Sequence, residues 1–201
     1  MEQLDIYDEY MHPIGTKPRQ EVHTKGLWHK TVHCWLYDAE GNVYFQIRKE
    51  SGTLYTTASG HVDAGETVKQ AFAREVKEEI GIDVTTDNAS LIDIVVWRMN
   101  AVKKGKPFID RAFANVYISP VTTNFTGFKF QPEEVLGVVK VNAQDCLNLL
   151  MGKKRHIKAT KITDTTTKTK LTLKDFLINE HETGIVKYGY VLQCIINATK
   201  G

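Results

Sequence analysis

The sequence predicts an α/β fold, a mixed sheet with helices packed on it, and three observations carry that reading. Lys30 to Tyr37, Val43 to Arg48, Ala89 to Met99, Arg111 to Ser119 and Val135 to Val141 are rich in β-branched and aromatic residues, as strands are. One long helical pattern runs from about Thr67 to Ile80 and stops at Gly81. Strands lie before and after that helix instead of alternating strictly with helices, which favours a mixed sheet.

Each element has its local reason. Asp38-Ala39-Glu40-Gly41-Asn42 is a turn-rich break between the first two runs, so a hairpin is the simplest reading there. Lys104 to Pro107 supplies a turn between the next two, and Ala143 to Met151 reads as a helix after the last. The chain then changes character. Lys158 to Lys170 is rich in Thr and Lys and reads as a loop or irregular hairpin, whereas Leu171 to Ile178 and Val186 to Ala198 have helical apolar spacing. The expected organisation is a lead-in over 1–29, a core over 30–151 and a basic loop with a helical C-terminal extension over 152–201. In that extension Val186, Tyr190, Cys194 and Ala198, flanked by Tyr188, Val191 and Ile195, form an apolar stripe that must dock on the sheet or on a second subunit as a homodimer contact.

Bulk properties narrow the function. With 201 residues, 42% hydrophobic and 25% charged, the chain can bury a core of good size. It contains no apolar run long enough for a membrane span, and Met1 to Tyr10 is acidic and polar, unlike a signal peptide, so a cytoplasmic protein is expected. Cys34, Cys146 and Cys194 are far apart among apolar neighbours, which suits reduced buried thiols. A formal charge of +2 gives no argument for nucleic acid, although seven Lys or Arg against one Asp fall between Lys153 and Lys170. That stretch is a solvated face, or, beside a cleft, a means of attracting an anionic substrate.

The chemistry concentrates on the long helix. At 100° per residue Val68, Phe72, Val76 and Ile80 share one arc, with Gln70, Arg74 and Lys77 opposite. Glu75, Glu78 and Glu79 overlap and flank the apolar arc, where carboxylates crowd one another and cost several kcal/mol each to desolvate unpaired. Arg74 can compensate one or two of them. A divalent cation bound by hard carboxylate oxygens accounts for the rest.

Gly60, five residues, Glu66, seven residues, then Arg74-Glu75-Val76-Lys77-Glu78-Glu79-Ile80-Gly81-Ile82 resembles the Nudix box at every specified position. The strand pattern extends that resemblance from about Lys30 to Met151. It implies an α/β/α sandwich around a mixed sheet and a hydrolase that cleaves a small diphosphate-containing substrate. Glu75, Glu78 and Glu79 would ligate Mg²⁺ or Mn²⁺ with the carbonyl of Gly60, and Glu66 with Arg74 would brace the loop and orient the ligands. Glu133 and Glu134 are candidates for an added ligand or general base.

Within that superfamily, His23 to His33 and Ser59-Gly60-His61 are similar to isopentenyl-diphosphate isomerases, whose metal-binding histidines His23, His29 and His61 resemble. The isomerase's cysteine before the Gly-His step is Ser59 here, and Lys106 and Phe108 stand near its pair of glutamates, so hydrolysis is expected and isomerisation is not. A Nudix-fold module that only binds would not need Glu66, Glu75, Glu78 and Glu79 together. Trp28, Trp35, Trp97, Tyr55 and Phe108 are the aromatic residues available either for the core or for stacking on a base.

Overall fold

The computed structural model describes residues 2–103, 105–121, 127–176 and 184–200. The described strands are β1 (Gln3–Tyr7), β2 (Pro13–Pro18), β3 (Trp28–Asp38), β4 (Asn42–Arg48), β5 (Leu54–Tyr55), β6 (Ala58–His61), β7 (Ser90–Lys103), β8 (Lys106–Val121), β9 (Val135–Asn142), β10 (Ile157–Ile162) and β11 (Thr166–Leu171). The helices are α1 (Arg19–Lys25), α2 (Val68–Ile80), α3 (Ala143–Leu150) and α4 (Gly184–Ala198). One sheet runs in the order β11-β10-β9-β4-β3-β1-β2, with β8 also beside β3 and β7 beside β8. The β3 and β8 pairing is parallel and the neighbouring ladders are antiparallel, so the sheet is mixed.

Alternation along the central strands separates two apolar layers. Val32, Cys34 and Leu36 of β3, Tyr44 of β4 and Tyr117 of β8 face the layer that receives Ala71, Phe72, Val76 and Ile80 of α2. Trp35, Phe45 and Val116 face the other, where Cys146 and Leu149 of α3 meet Tyr188, Leu192 and Ile195 of α4. The result is an α/β/α sandwich. Cys34 and Cys146 are buried free thiols, and burial pushes both well up, out of the range of a nucleophile.

Helix α2 sits at the centre of the fold and its ends are fixed locally. Thr67 accepts from the Gln70 amide while the Gln70 side chain accepts from the Thr67 amide, a reciprocal cap of the first turn. Gly81, at φ 75°, takes the left-handed conformation that ends the helix and returns its N–H to the carbonyl of Lys77.

Four expectations are corrected or narrowed. The first two runs are joined by a tight turn but pair only at Tyr37 and Val43. From there β4 turns to β9 while β3 lies between β6 and β8, and the splay leaves room for the Gly60 segment. Of the two readings for Lys158 to Lys170, the hairpin holds and the loop does not; its register is regular, and Ile157, Ala159 and Leu171 are buried on its inner face. The segment from Leu171 forms one 3₁₀ turn at Leu173–Phe176 after Leu171 closes β11, and the stretch to Ile178 runs outside the described residues. The docking stripe of α4 is centred on the expected Tyr188, Val191 and Ile195, with Leu192 and Ile196 also buried and Cys194 packed beside them, whereas Tyr190 is exposed and Ala198 lies at the surface. The Val186 side chain and Lys104 also fall outside the described residues. Because α4 packs on its own chain's sheet, this stripe does not call for a second subunit. The lead-in is likewise structured, with β1 pairing to both β2 and β3 and α1 leading into β3.

Candidate metal and substrate site

Gly60 is on β6 and Glu75 lies across it on α2, in closer contact than any side chain on residue 60 would permit. A Cβ built on Gly60 would fall 2.1 Å from the Glu75 carboxyl carbon. Glycine is required there because a carboxylate rests against the backbone. One turn on, Glu79 is 4% exposed and accepts from the Ser59 amide at 2.9 Å and from Gln46 Nε2 at 3.3 Å. Glu78 is at the open rim of the same helix face, with about half its side chain exposed.

Arg74 holds this group together more widely than expected. Its guanidinium donates to Glu66 at 3.0 and 2.9 Å, to Glu75 at 2.7 Å, to Glu78 at 3.2 Å and to the carbonyl of His61 at 2.9 Å. Glu66 also accepts from the Asp63 amide at 3.0 Å, which ties the loop before α2 to the helix. Burial acts against the Glu66 carboxylate, yet the Arg74 hydrogen bonds and that amide hold its pKa below the ordinary value.

Arg74 does not donate to Glu79. Burial pushes Glu75 up to about 7 and Glu79 up to about 8, and the charge of Glu134 adds to both. Two buried acids so close together lack the positive charge that would keep them ionised, and a divalent cation bound by their oxygens fits the deficit.

Of the two loop glutamates, Glu134 lines the cleft, whereas Glu133 is not among the lining residues. Its loop is pinned to the end of β4 by the Lys49 amide on the Glu134 carbonyl at 2.8 Å and by Lys49 Nζ on the Pro132 carbonyl at 2.6 Å. The glutamates open into a cleft of about 510 Å³. The aromatic candidates divide accordingly. Tyr55, Trp97 and Phe108 line the cleft, Trp35 is core, and Trp28 stacks on Phe113. Arg48 lies over the Tyr55 ring at 4.1 Å and brings a cation to the same wall. No residue of the basic stretch from Lys153 to Lys170 is among those lining the cleft.

Sequence reasoning missed one acid. Asp110, two residues beyond Phe108 on the same face of β8, stands beside His23 and His29 at 3.9 and 3.5 Å. Alternation along β8 was the signal that could have found it. His23, His29 and His61 do come together, as their resemblance implied, with ring centroids 5.0 to 5.2 Å apart.

In this sandwich a glutamate-rich helix closes on a glycine strand and brings buried carboxylates to one open cleft. The NUDIX domain model matches residues 27–160, and the chain belongs to that family. It is 35% identical over 158 residues to a Nudix hydrolase of Clostridium acetobutylicum, covering 75% of this chain and 74% of that one. The crystal structure of DR0079 from Deinococcus radiodurans shares the fold at a TM-score of 0.53 and 19% identity, covering 76% of this chain and 91% of that one. Similarity to isopentenyl-diphosphate Delta-isomerase 2 of Photorhabdus laumondii is partial, 32% over 85 residues, with 40% of this chain and 48% of the isomerase covered.

The raised acids give a pH prediction with a definite sign. A carboxyl whose folded pKa lies above its unfolded value stabilises the protein fully below the unfolded value, here 4.5, and that contribution is lost as pH rises through about 7 and 8. Chelated protein is therefore expected to melt at a lower temperature at pH 8.5 than at pH 6. Divalent metal must displace the same protons, so its affinity is expected to rise over that range. Calorimetry at the two pH values checks both signs; equal Mg²⁺ affinity at both would show that these carboxyls do not hold the metal.

Proposed function

We propose that this protein hydrolyses a diphosphate linkage in a nucleoside diphosphate derivative or similar small diphosphate, using Mg²⁺ or Mn²⁺ and acting in the cytoplasm. The observation that carries the reading is the buried pair Glu75 and Glu79, short of positive charge and facing a cleft beside Gly60. Glu75, Glu78 and Glu79, with the carbonyl of Gly60, would hold the metal. Bound there, it would neutralise the diphosphate oxygens and lower the pKa of the attacking water.

The chain's own groups supply the rest. Glu66 and Arg74 fix the loop and set the rotamers of Glu75 and Glu78, since both carboxylates hang from one guanidinium. Glu134, whose charge acts on Glu75 and Glu79 in the same cleft, would take the proton of the attacking water. Tyr55 and Trp97 offer planar surfaces to a ring on the substrate, and Arg48 offers charge to a phosphate.

The test is a hydrolysis screen over nucleoside diphosphate derivatives and other small diphosphates, with product identification. Turnover is expected with Mg²⁺ or Mn²⁺, absent with EDTA, and poor with Ca²⁺, whose looser shell does not hold the tighter geometry. Absence of turnover across the panel would leave a binding module as the better reading. Appearance of the allylic isomer from isopentenyl diphosphate would favour isomerisation.

A further inference from the structure

The net charge of +2 conceals a strong segregation. Seven Lys or Arg and one Asp fall between Lys153 and Lys170, which leaves 19 basic against 23 acidic residues in the rest of the chain. One stretch is strongly positive on a body that is otherwise negative, and the glutamates of the cleft belong to the negative part.

Folding gathers those cations onto one plane. Directly opposite residues of an antiparallel ladder share a face, and in the β10–β11 register Lys158 stands opposite Lys170 and Thr160 opposite Lys168. Ile157, Ala159 and Leu171 occupy the other face and are buried, so Lys158, Lys168 and Lys170 all point outward and are exposed. Opposed side chains start about 5 Å apart, and Lys168 and Lys170 follow each other at about 6.8 Å along β11. Lys168 Nζ donates to Thr160 Oγ1 at 3.0 Å, and among the described residues no carboxylate pairs with any of the three lysines. In the segment that leads into β10, Lys154 is held by Asp145 at 2.6 Å, whereas Lys153 and Arg155 are exposed and add two further charges.

Like charges set directly opposite one another destabilise a ladder, so the Lys158–Lys170 pair carries a cost that the fold alone does not call for. Protection of a sheet edge explains lysine on β11, the outermost strand. It does not explain Lys158 on β10, which has a partner strand on each side, nor Lys153 and Arg155 outside the sheet. An anion with closely spaced charges lying across the face removes the repulsion.

We infer that this outer face, formed by Lys158, Lys168, Lys170 and Thr160 with Lys153 and Arg155 at its end, is a docking surface for the phosphodiester backbone of a nucleic-acid duplex. Lysines on a rigid hairpin make a fixed array suited to the fixed array of backbone phosphates, and the Thr160 hydroxyl can donate to a phosphate oxygen. Between Lys153 and Leu171 no large apolar side chain is exposed and no Phe, Tyr or Trp occurs. The face therefore has nothing to insert into a bilayer and nothing on which an unpaired base would stack. Recognition is of the backbone and independent of sequence. The acidic cleft repels the same polyanion, so the duplex is held away from the cleft carboxylates and is not the substrate. The inference does not depend on hydrolysis.

Fluorescence anisotropy of full-length protein with a short labelled DNA duplex, followed from 50 to 200 mM salt, tests it. Wild type is expected to bind with micromolar or tighter affinity at 50 mM salt and about 500-fold more weakly at 200 mM, since about five phosphate contacts give a slope of about −4.5 in log K against log salt. Lys158→Gln/Lys168→Gln/Lys170→Gln is expected to bind at least about tenfold more weakly at 50 mM and to flatten the slope by about 2.7. It should melt no lower than wild type, because the repulsion is gone. Lys17→Gln/Lys25→Gln/Lys69→Gln removes the same charge from exposed positions elsewhere, Lys17 lying on β2 at the opposite end of the sheet, and should bind within about threefold of wild type. The inference is overturned if wild type does not bind the duplex at 50 mM salt, or if the hairpin variant binds as wild type does. It is equally overturned if both triple variants weaken alike, which would make net charge and not this face responsible. Tighter binding to phosphatidylserine vesicles than to the duplex, lost in the hairpin variant, would also overturn it and assign the face to a membrane surface.

Discussion

Glu79→Gln is expected to lower turnover by at least about a hundredfold while leaving the metal-free fold intact, and Glu78→Gln is expected to do the same. The two hydrogen bonds that Glu79 accepts, from Ser59 and Gln46, both end on Oε2. A glutamine amide oxygen can take that place with its NH₂ turned to the cleft, so no buried donor is orphaned. With its pKa up at about 8, Glu79 is already largely protonated at neutral pH when no metal is bound, and the neutral amide resembles that state. The melting temperature of chelated protein should therefore stay close to the parent's, while the increase on adding Mg²⁺ shrinks. Glu78, half-exposed and bound only to Arg74, gives the same kinetic test with still less risk to the fold. Either variant turning substrate over at near the parent rate would remove that glutamate from the metal site.

The candidate site was legible from α2 because two demands met on one face. Helical period placed Glu75 and Glu79 on the buried side, and burial of acids without enough cations is physically conspicuous in sequence alone. The reach of Arg74 was less legible: four acceptors on its guanidinium depend on where β6 carries the His61 carbonyl, and a helical wheel does not contain that strand. Asp110 was missed for a related reason. Its meaning comes from His23, His29 and His61, which are distant in sequence and meet only once α1, β3, β6 and β8 have packed. The core strands were visible through composition, but the β3–β4 pairing was not, because a tight turn predicts a hairpin locally while the ladders to β9 and β8 decide the partners globally. The β10–β11 hairpin was obscured by its outward Thr and Lys, which read as solvent-facing loop although every second residue of β10 begins by turning inward.

Truncation after Met151 is expected to produce insoluble or unfolded protein. The deletion removes Ile157, Leu171, Phe176, Tyr188, Val191, Leu192, Ile195 and Ile196, all buried, and uncovers the faces of Trp35, Phe45, Val139 and Val141 against which they pack. Burial of such side chains contributes about 1.5 to 3 kcal/mol each. Ordering the tail costs conformational entropy that the deletion also removes, but the net stability of a domain is only about 5 to 15 kcal/mol. The uncovered sheet face has no replacement cover, and the newly exposed edge of β9 can pair with another chain. A graded version isolates the packing. Tyr188 meets Trp35 at 5.3 Å and Phe45 at 5.7 Å between ring centroids, so Tyr188→Ala should cost about 3 to 5 kcal/mol, as large aromatic truncations do. At roughly 2 to 4 °C per kcal/mol for a chain of this size, that is a fall in Tm of about 6 to 20 °C. Since Tyr188 is not among the residues lining the cleft, turnover per folded molecule should be unchanged below the new Tm. A truncated chain that is soluble, monomeric and fully active would show instead that the core closes without its last two strands and helix, and that the burial of Tyr188 is incidental to stability.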